Sequence, residues 1–181
     1  MMNYEENTNL GNHPEEIVLI VDEENRPIGE AIRKDMRKLK LAHRASFIFI
    51  KNSEGLLHVQ KRVLTKDVYP GYFDPTTGGC VLASDLNDKE AALRELEEEL
   101  GITGIDIEFV DWFHYKNAEN NVWGSIYLAE WNGPVSLQAD EVESLHMMSI
   151  SEILERFQNN EKFCPDSMAA LQQLISLGRL N

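Results

Sequence analysis

Alternating apolar and polar residues define most of the predicted strands of this chain. Segments 17–21 and 27–32 flank a polar turn and predict one β-hairpin. Segments 45–51 and 56–62 flank a turn that ends in glycine and predict a second hairpin. Three further segments, rich in β-branched and aromatic residues, predict strands at 105–115, 122–131 and 142–148.

Helical signals lie between and after these strands. Leucines recur at helical spacing before Gly101, which is a typical helix-stop residue. Ser149 or Ser151 offers an N-cap for a later helix, and Pro165 opens the last one. The predicted helices cover 34–39, 88–100, the stretch from 149 or 151 to 157, and 165–177. This mixture, with no internal repeat or linker, predicts a single layered α+β domain.

Composition and charge restrict the expected partners. The 181 residues suit one domain, which we expect at 15–181, after a disordered polar lead-in at 1–14. The formal net charge of −14 argues against nucleic-acid polymers, and no apolar run is long enough to predict a membrane span. Cys80 and Cys164 imply no disulfide framework, and no secretory signal is recognised, so the cytoplasm is the expected location.

Four glutamates crowd the last turns of the helix predicted at 88–100. Like charges three or four residues apart repel by roughly a few tenths of a kcal/mol per pair, and carboxylates are unfavourable near a helix C-terminus. Three of them share an arc of about 100°, opposite the leucines. Charge alone would favour a solvated acidic surface, but the neighbouring glycines favour a site for Mg²⁺ or Mn²⁺. The three are Glu95, Glu98 and Glu99.

A known motif includes these glutamates. Gly79 and the run Arg94-Glu95-Leu96-x-Glu98-Glu99-x-Gly101-Ile102 resemble the Nudix box of the Nudix hydrolases. The second half of the box matches at every defined position. The first half has Asp85 where the family has glutamate, and one additional residue separates Asp85 from Arg94. The resemblance implies an α/β/α sandwich with a mixed sheet, and Mg²⁺-dependent hydrolysis of a nucleoside diphosphate linked to another group.

The same resemblance implies roles for individual residues. Glu98 and Glu99 are expected to bind the metal, and Glu95 to be a further ligand or the base that activates water. Arg94 is expected to position these carboxylates, in part through a bidentate pair. The backbone carbonyl expected to complete the coordination shell is that of Gly78 or Gly79.

Further candidates lie outside the box. Lys61, Arg62 and Lys66 are basic residues in an otherwise acidic chain and are expected to bind phosphate oxygens, unless they only protect an edge strand. Glu141 competes with Glu95 as the expected base. Two other acids considered for this role are Glu119 and Glu143. The aromatic residues considered for stacking on the substrate, although core positions are favoured for them, are Tyr72, Phe73 and Trp123.

The N-terminal part of the chain carries a second resemblance, to type I isopentenyl-diphosphate isomerases, which are Nudix relatives with an N-terminal extension. It therefore predicts an N-terminal hairpin and helix at 15–40 before a Nudix core at 41–181. Gly78 stands where the isomerases have their cysteine, and Cys80 stands where they have a histidine ligand. Among the histidine ligands only His43 matches. Of a downstream acidic pair, Glu119 is kept but Asn121 stands at the partner position. The similar segments are Asp22-Glu23-x-x-Arg26-Pro27-Ile28-Gly29, His43-Arg44-Ala45, Gln60-x-Arg62-x-x-x-Lys66 and Tyr69-Pro70-Gly71.

The sequence thus predicts a Mg²⁺- or Mn²⁺-dependent Nudix hydrolase acting on a small organic diphosphate. An isomerase-like enzyme and a non-catalytic nucleotide-binding regulator are the alternatives, and a homodimer stays open. Cys80 and His43 are expected to be buried structural residues rather than catalytic ones.

Overall fold

The structure of the chain, a computed structural model, describes residues 13–181. The lead-in predicted at 1–14 therefore lies outside the described residues except for its last two. The strands are Ile17–Val21 (β1), Pro27–Ile32 (β2), His43–Lys51 (β3), Leu57–Arg62 (β4), Phe73–Asp74 (β5), Glu108–Lys116 (β6), Asn121–Glu130 (β7) and Val142–Met148 (β8). The helices are Arg33–Leu39 (α1), Asp88–Leu100 (α2), Ile150–Gln158 (α3) and Pro165–Ser176 (α4).

The strands form one mixed sheet with β3 near its centre. Strand β3 pairs with β7 in parallel along its whole length, and β7 pairs with β6 in antiparallel. On the other side, β4 pairs in antiparallel with β8 and β5, and β1 and β2 form the first predicted hairpin. The bounds of all predicted strands agree with the structure within a few residues, because alternation and turn residues are local signals.

Helices cover both faces of this sheet. Alternate residues of β3 point to opposite faces, as in any strand. Phe47 and Phe49 pack in the core cluster that includes α3 and α4, whereas Ile48 and Ile50 pack in the cluster that includes α2. The predicted α/β/α arrangement is therefore confirmed. In the described part of the chain, no helix is long and apolar enough to cross a membrane.

Helix α2 begins and ends at the predicted residues. Asn87 caps it, because its side-chain oxygen accepts a hydrogen bond from the backbone N–H of Glu90 at 3.0 Å. Gly101 ends it in the left-handed conformation, with φ of 65°. Leu96 and Leu100 are fully buried against the sheet. This packing sets the rotation of the helix and turns its acidic side toward the cleft described below.

The N-terminal hairpin and α1 dock on the rest of the domain through a small apolar cluster. Met36 of α1 is buried there with Val18, Ile20 and Cys80. The backbone N–H of Arg33, the first residue of α1, donates to a carbonyl that precedes β1, at 2.7 Å. These contacts fix α1 beside the glycine-containing segment that precedes α2.

Close packing at Gly124 gives a test of the sheet core. A Cβ atom at this position of β7 would lie 2.1 Å from Cε1 of Phe113, so Gly124→Ala must displace a buried ring. We expect a loss of about 1–3 kcal/mol in the free energy of unfolding, measured by urea denaturation. Gly29→Ala is the matched control, because nothing lies within 4 Å of its added Cβ. Equal stability of the two variants would contradict the packing described.

Candidate active site

A single cleft contains most of the predicted site residues. It encloses about 720 Å³ of space between atoms, including its open mouth. Its walls come from α1, β3, the glycine-containing segment, α2 and the segments that precede β5 and β8. Four of its acidic residues are Glu95, Glu98, Glu99 and Glu141. Its four lysine and arginine residues are Arg33, Arg37, Arg62 and Lys66.

The glycine pair forms the floor beside the box helix. The backbone N–H of Ser46 in β3 donates to the carbonyl of Gly79 at 2.9 Å, so this segment runs along the strand. A Cβ atom at Gly79 would lie 2.6 Å from Oε1 of Glu95, and one at Gly78 would lie 2.1 Å from the Ser46 carbonyl oxygen. Gly78 also has a φ of 153°. Glycine at position 79 lets the Glu95 carboxylate rest against the backbone, and glycine at position 78 lets the segment run close to the Ser46 carbonyl of β3.

Arg94 connects the two halves of the Nudix-like box. Its Nε and Nη2 both donate to the carboxylate of Asp85, each at 3.0 Å. Its Nη1 donates to Glu95 at 2.8 Å and to Glu98 at 3.1 Å, and its Nη2 also reaches the Cys80 carbonyl at 3.2 Å. The bidentate pair expected with one of the α2 carboxylates forms instead with Asp85, while Glu95 and Glu98 each accept a single hydrogen bond from Arg94. The additional residue in the loop does not prevent Asp85 from reaching the helix.

Lys66 binds two further carboxylates of the cleft, those of Glu99 and Glu141. Its ammonium group forms an ion pair with Glu141 and lies 3.6 Å from Oε1 of Glu99. The side-chain amide of Gln60 donates to Oε2 of Glu99 at 3.0 Å. Only 5% of the Lys66 side chain is exposed. Solvent therefore screens these ion pairs weakly, and their electrostatic interactions are strong.

Burial and mutual repulsion shift the pKa values of these carboxyl groups. Burial, with the charge of Glu99 next to it, raises the pKa of Glu95 to about 8. Burial also raises the pKa of Glu99, although Lys66 opposes this. For Glu141, burial acts in the same direction, but the neighbouring Lys66 outweighs it and the pKa is lowered. Glu95 and Glu99 are therefore unfavourable as anions and would be stabilised by an added cation.

The α2 carboxylates have the chemistry that a magnesium or manganese site needs, since both ions prefer oxygen ligands. In residues 13–181, no three histidine, cysteine or acidic side chains are already grouped around one point as metal ligands. Arg94 and Lys66 instead take up the carboxylate oxygens. A divalent ion would bind by competing with these two cations, and Glu98, whose side chain is 47% exposed, is free to turn toward it.

The structure separates the three predicted phosphate-binding residues. Arg62 and Lys66 line the cleft, and Nε of Arg62 is buried with no hydrogen-bond partner among the described residues. Lys61 does not line it, which corrects the prediction. Its ammonium group lies 3.6 Å from Glu143 and 5.8 Å from the ring centroid of Phe73. The reason is strand alternation, which puts Lys61 on the opposite face of β4 from Arg62.

Several other candidates also lie outside the cleft. Glu119 is exposed on the loop before β7, while the next residue, Asn120, lines the cleft. Trp123 stacks on His114 with ring centroids 4.6 Å apart. The remaining candidates that the structure does not place among the lining residues are Tyr72, Phe73 and Glu143. Of the acids proposed as base, Glu95 and Glu141 are therefore the two that share the cleft.

Sequence reasoning missed Arg33, Arg37 and Gln60 as parts of this site. The two arginines stand four residues apart on a short helix, which was a usable signal because such residues share a helix face. Gln60 sits two residues before Arg62 on β4, so strand alternation puts both side chains on the same face. His43 is buried as expected, with its Nδ1 3.1 Å from the Leu41 carbonyl.

Comparison with known proteins identifies relatives over most of the chain. The profile of the NUDIX domain matches residues 41–166. The chain is 41% identical over 156 residues to the uncharacterized Nudix hydrolase YfcD of Escherichia coli K12, covering 86% of this chain and 84% of that protein. It is 38% identical over 157 residues to the uncharacterized Nudix hydrolase PA4841 of Pseudomonas aeruginosa, covering 87% and 92%.

Solved structures share the fold. DR0079 from Deinococcus radiodurans superposes with a TM-score of 0.78 at 20% identity, covering 87% of this chain and 98% of that chain. The NUDIX domain of Shewanella oneidensis NrtR, solved in complex with ADP ribose, has a TM-score of 0.58 at 14% identity, covering 75% and 86%. At these sequence identities the structural similarity establishes a shared fold and nothing further.

The raised pKa of Glu95 predicts how stability depends on pH. Because its pKa in the folded chain, about 8, exceeds its ordinary value of 4.5, folding favours the protonated form and stability is lost as pH rises between these values. Without metal, we expect Glu95→Gln to have a higher melting temperature than the wild type near pH 8, and a similar one near pH 5. Each kcal/mol corresponds to roughly 2–4 °C.

The matched control is Glu97→Gln, because Glu97 is an exposed residue of the same helix and should follow the wild type at every pH. Added Mg²⁺ should raise the melting temperature of the wild type at pH 8 more than that of Glu95→Gln. Parallel pH curves for the wild type and Glu95→Gln would contradict the electrostatic account.

Proposed function

This chain belongs to the Nudix hydrolase family, and we propose that it hydrolyses the diphosphate linkage of a nucleoside diphosphate derivative or similar small organic diphosphate, with Mg²⁺ or Mn²⁺ as cofactor. The observation that carries this proposal is the joint presence in one cleft of buried carboxylates, the buried Lys66 and three partly buried arginines. A diphosphate is itself anionic, so an acidic site needs cations to accept it. The proposed partner is a small molecule, and the cytoplasm is the proposed location.

The residues proposed to hold the metal are Glu95, Glu98 and Glu99, with the Gly79 carbonyl beside them. When bound, the ion would neutralise phosphate charge and lower the pKa of a coordinated water. Arg94 positions Glu95 and Glu98 through its hydrogen bonds to both. Arg94 is therefore a positioning residue.

Lys66 and Arg62 are proposed to bind the phosphate oxygens. Nε of Arg62 has no partner among the described residues, so an incoming oxygen would satisfy a buried donor. Lys66 is bound to two carboxylates, and release of one of them would free it to contact phosphate. Both side chains would orient the linkage and offset part of its charge.

Glu141 is proposed as the general base. Its pKa is lowered by Lys66 despite its burial, so it is deprotonated near neutral pH and able to accept a proton. The attacking water gives that proton to Glu141 as its oxygen bonds to phosphorus, and the bridging P–O bond breaks. One phosphate-terminated product leaves with the electron pair of that bond. Glu95 is less suited to this task because it contacts Arg94 and the glycine bend.

A substrate screen tests the proposed activity. Formation of phosphate-terminated products with Mg²⁺ and with Mn²⁺ would be measured by chromatography on nucleoside diphosphates, nucleotide sugars, dinucleotides and isoprenoid diphosphates. We expect turnover of at least one class and its loss with a chelator. Rearranged isopentenyl diphosphate without phosphate release would instead indicate an isomerase. Binding of these compounds without turnover would indicate a regulatory protein.

The metal-ligand assignment predicts the behaviour of Glu98→Gln. Glu98 is only half buried, so the change should leave the fold intact while removing an oxygen anion from the cation site. We expect metal-dependent turnover to fall by roughly 100-fold or more. Glu97→Gln, on the exposed side of the same helix, should retain wild-type rates. Full activity of Glu98→Gln would refute the assignment.

Strand β4 offers a matched pair for the phosphate-binding proposal. We expect Arg62→Gln to lower kcat/KM by roughly 10-fold to 100-fold, since a charge-assisted hydrogen bond contributes about 1.5–3 kcal/mol. Lys61→Gln should have little effect, because this side chain lies outside the cleft against Glu143. Melting temperatures of both variants would show whether a loss reflects folding. An equal loss in the two variants would contradict the assignment.

A further inference from the structure

Helix α1 forms a wall of the cleft that the proposed chemistry does not use. The helix precedes residue 41, where the match to the NUDIX domain begins. Its Arg33 and Arg37 line the cleft, whereas Lys34 and Lys38 on the same helix are exposed. The N-terminal segment thus adds two guanidinium groups to a site whose other lining residues, apart from His13 and Glu16, lie within the family match.

The charge of Arg33 is balanced within the protein. Its Nη1 lies 3.0 Å from Glu16, and its Nε lies 3.2 Å from Asp67. The same oxygen of Asp67 also lies 3.2 Å from Nε of Arg37. Two arginines therefore share the Asp67 carboxylate, and Arg37 has no second carboxylate partner among the described residues.

Among residues 13–181, the two terminal nitrogens of Arg37 contact neutral acceptors only. Nη1 lies 3.1 Å from Oδ1 of Asn120 and 3.4 Å from Nε2 of His43, and Nη2 lies 3.7 Å from Sγ of Cys80. Burial and the neighbouring Arg37 lower the pKa of His43 to about 3, so the ring is neutral. Sulfur is a weak acceptor. The side of the guanidinium that usually binds carboxylate or phosphate in a bidentate manner therefore lacks an anion in the described part of the chain.

We propose that Arg37 binds the free terminal phosphate of the substrate, so that the enzyme prefers diphosphates with an uncapped end to those esterified at both ends. A terminal phosphate has more negative charge and one more free oxygen than an esterified phosphate. It can therefore accept more hydrogen bonds from the neighbouring guanidinium groups of Arg33 and Arg37. This inference rests on the proposed hydrolysis. The products would be inorganic phosphate and an organic monophosphate, formed as water bonds to phosphorus and the bridging P–O bond breaks.

Binding of non-hydrolysable probes tests this inference separately from turnover. The monomethyl ester of methylenediphosphonate has one free end, whereas its P,P′-dimethyl ester is capped at both ends. With Mg²⁺ present, we expect calorimetry to show at least about 10-fold tighter binding of the monomethyl ester, the probe with a free end, by the wild type, matching the contribution of a charge-assisted hydrogen bond. Arg37→Gln should lose this preference. Lys38→Gln, an exposed change on the same helix, should keep it.

Arg37→Lys serves as a second variant, because it keeps the charge but cannot form a bidentate contact. We expect it to fold and to show a weaker preference than the wild type. Equal binding of both probes by the wild type, or an unchanged preference in a folded Arg37 variant, would overturn the inference. If the wild type hydrolyses no diphosphate while Arg37→Gln still loses the binding preference, the proposed hydrolysis fails and the Arg37 assignment stands.

Discussion

Buried carboxylates that repel one another are the constraint on which the arrangement of this site depends. Glu95 and Glu99 lie one turn apart on α2, and both are removed from water. Such a pair is tolerated only where cations compensate it. In the structure Arg94 holds Glu95 from one side, and Lys66 approaches Glu99 from the other. Glycine at position 79 also makes room for the buried Glu95 carboxylate, because a Cβ atom there would lie 2.6 Å from its Oε1.

This compensation explains why elements far apart in the chain must meet at one place. Lys66 comes from the loop after β4, and Glu141 from the segment before β8, yet they form one ion pair beside α2. Asp85 reaches Arg94 from the loop before the helix, despite its additional residue. The charges therefore form a connected network, in which a divalent ion would replace existing partners rather than enter an empty space.

The N-terminal segment extends this network beyond the part of the chain that the family match covers. Apolar packing of Met36 fixes α1 against β1, and the same docking presents Arg33 and Arg37 to the cleft. Under the proposed assignments, α1 contributes to substrate binding and α2 to the chemistry, so the two tasks lie in different parts of the chain. This division is typical of folds whose chemistry is kept while their substrate changes.

The sequence by itself determined the elements, the fold family and the carboxylate trio, because helix periodicity, strand alternation and the box motif are local. The bounds of α2 and the side on which Glu95 and Glu99 lie followed from spacing alone. Only the tertiary structure decided which basic residues serve the site. It excluded Lys61 and brought in Arg37, since a side chain's environment depends on elements distant in sequence that pack against it. Local patterns carry no information on those long-range contacts.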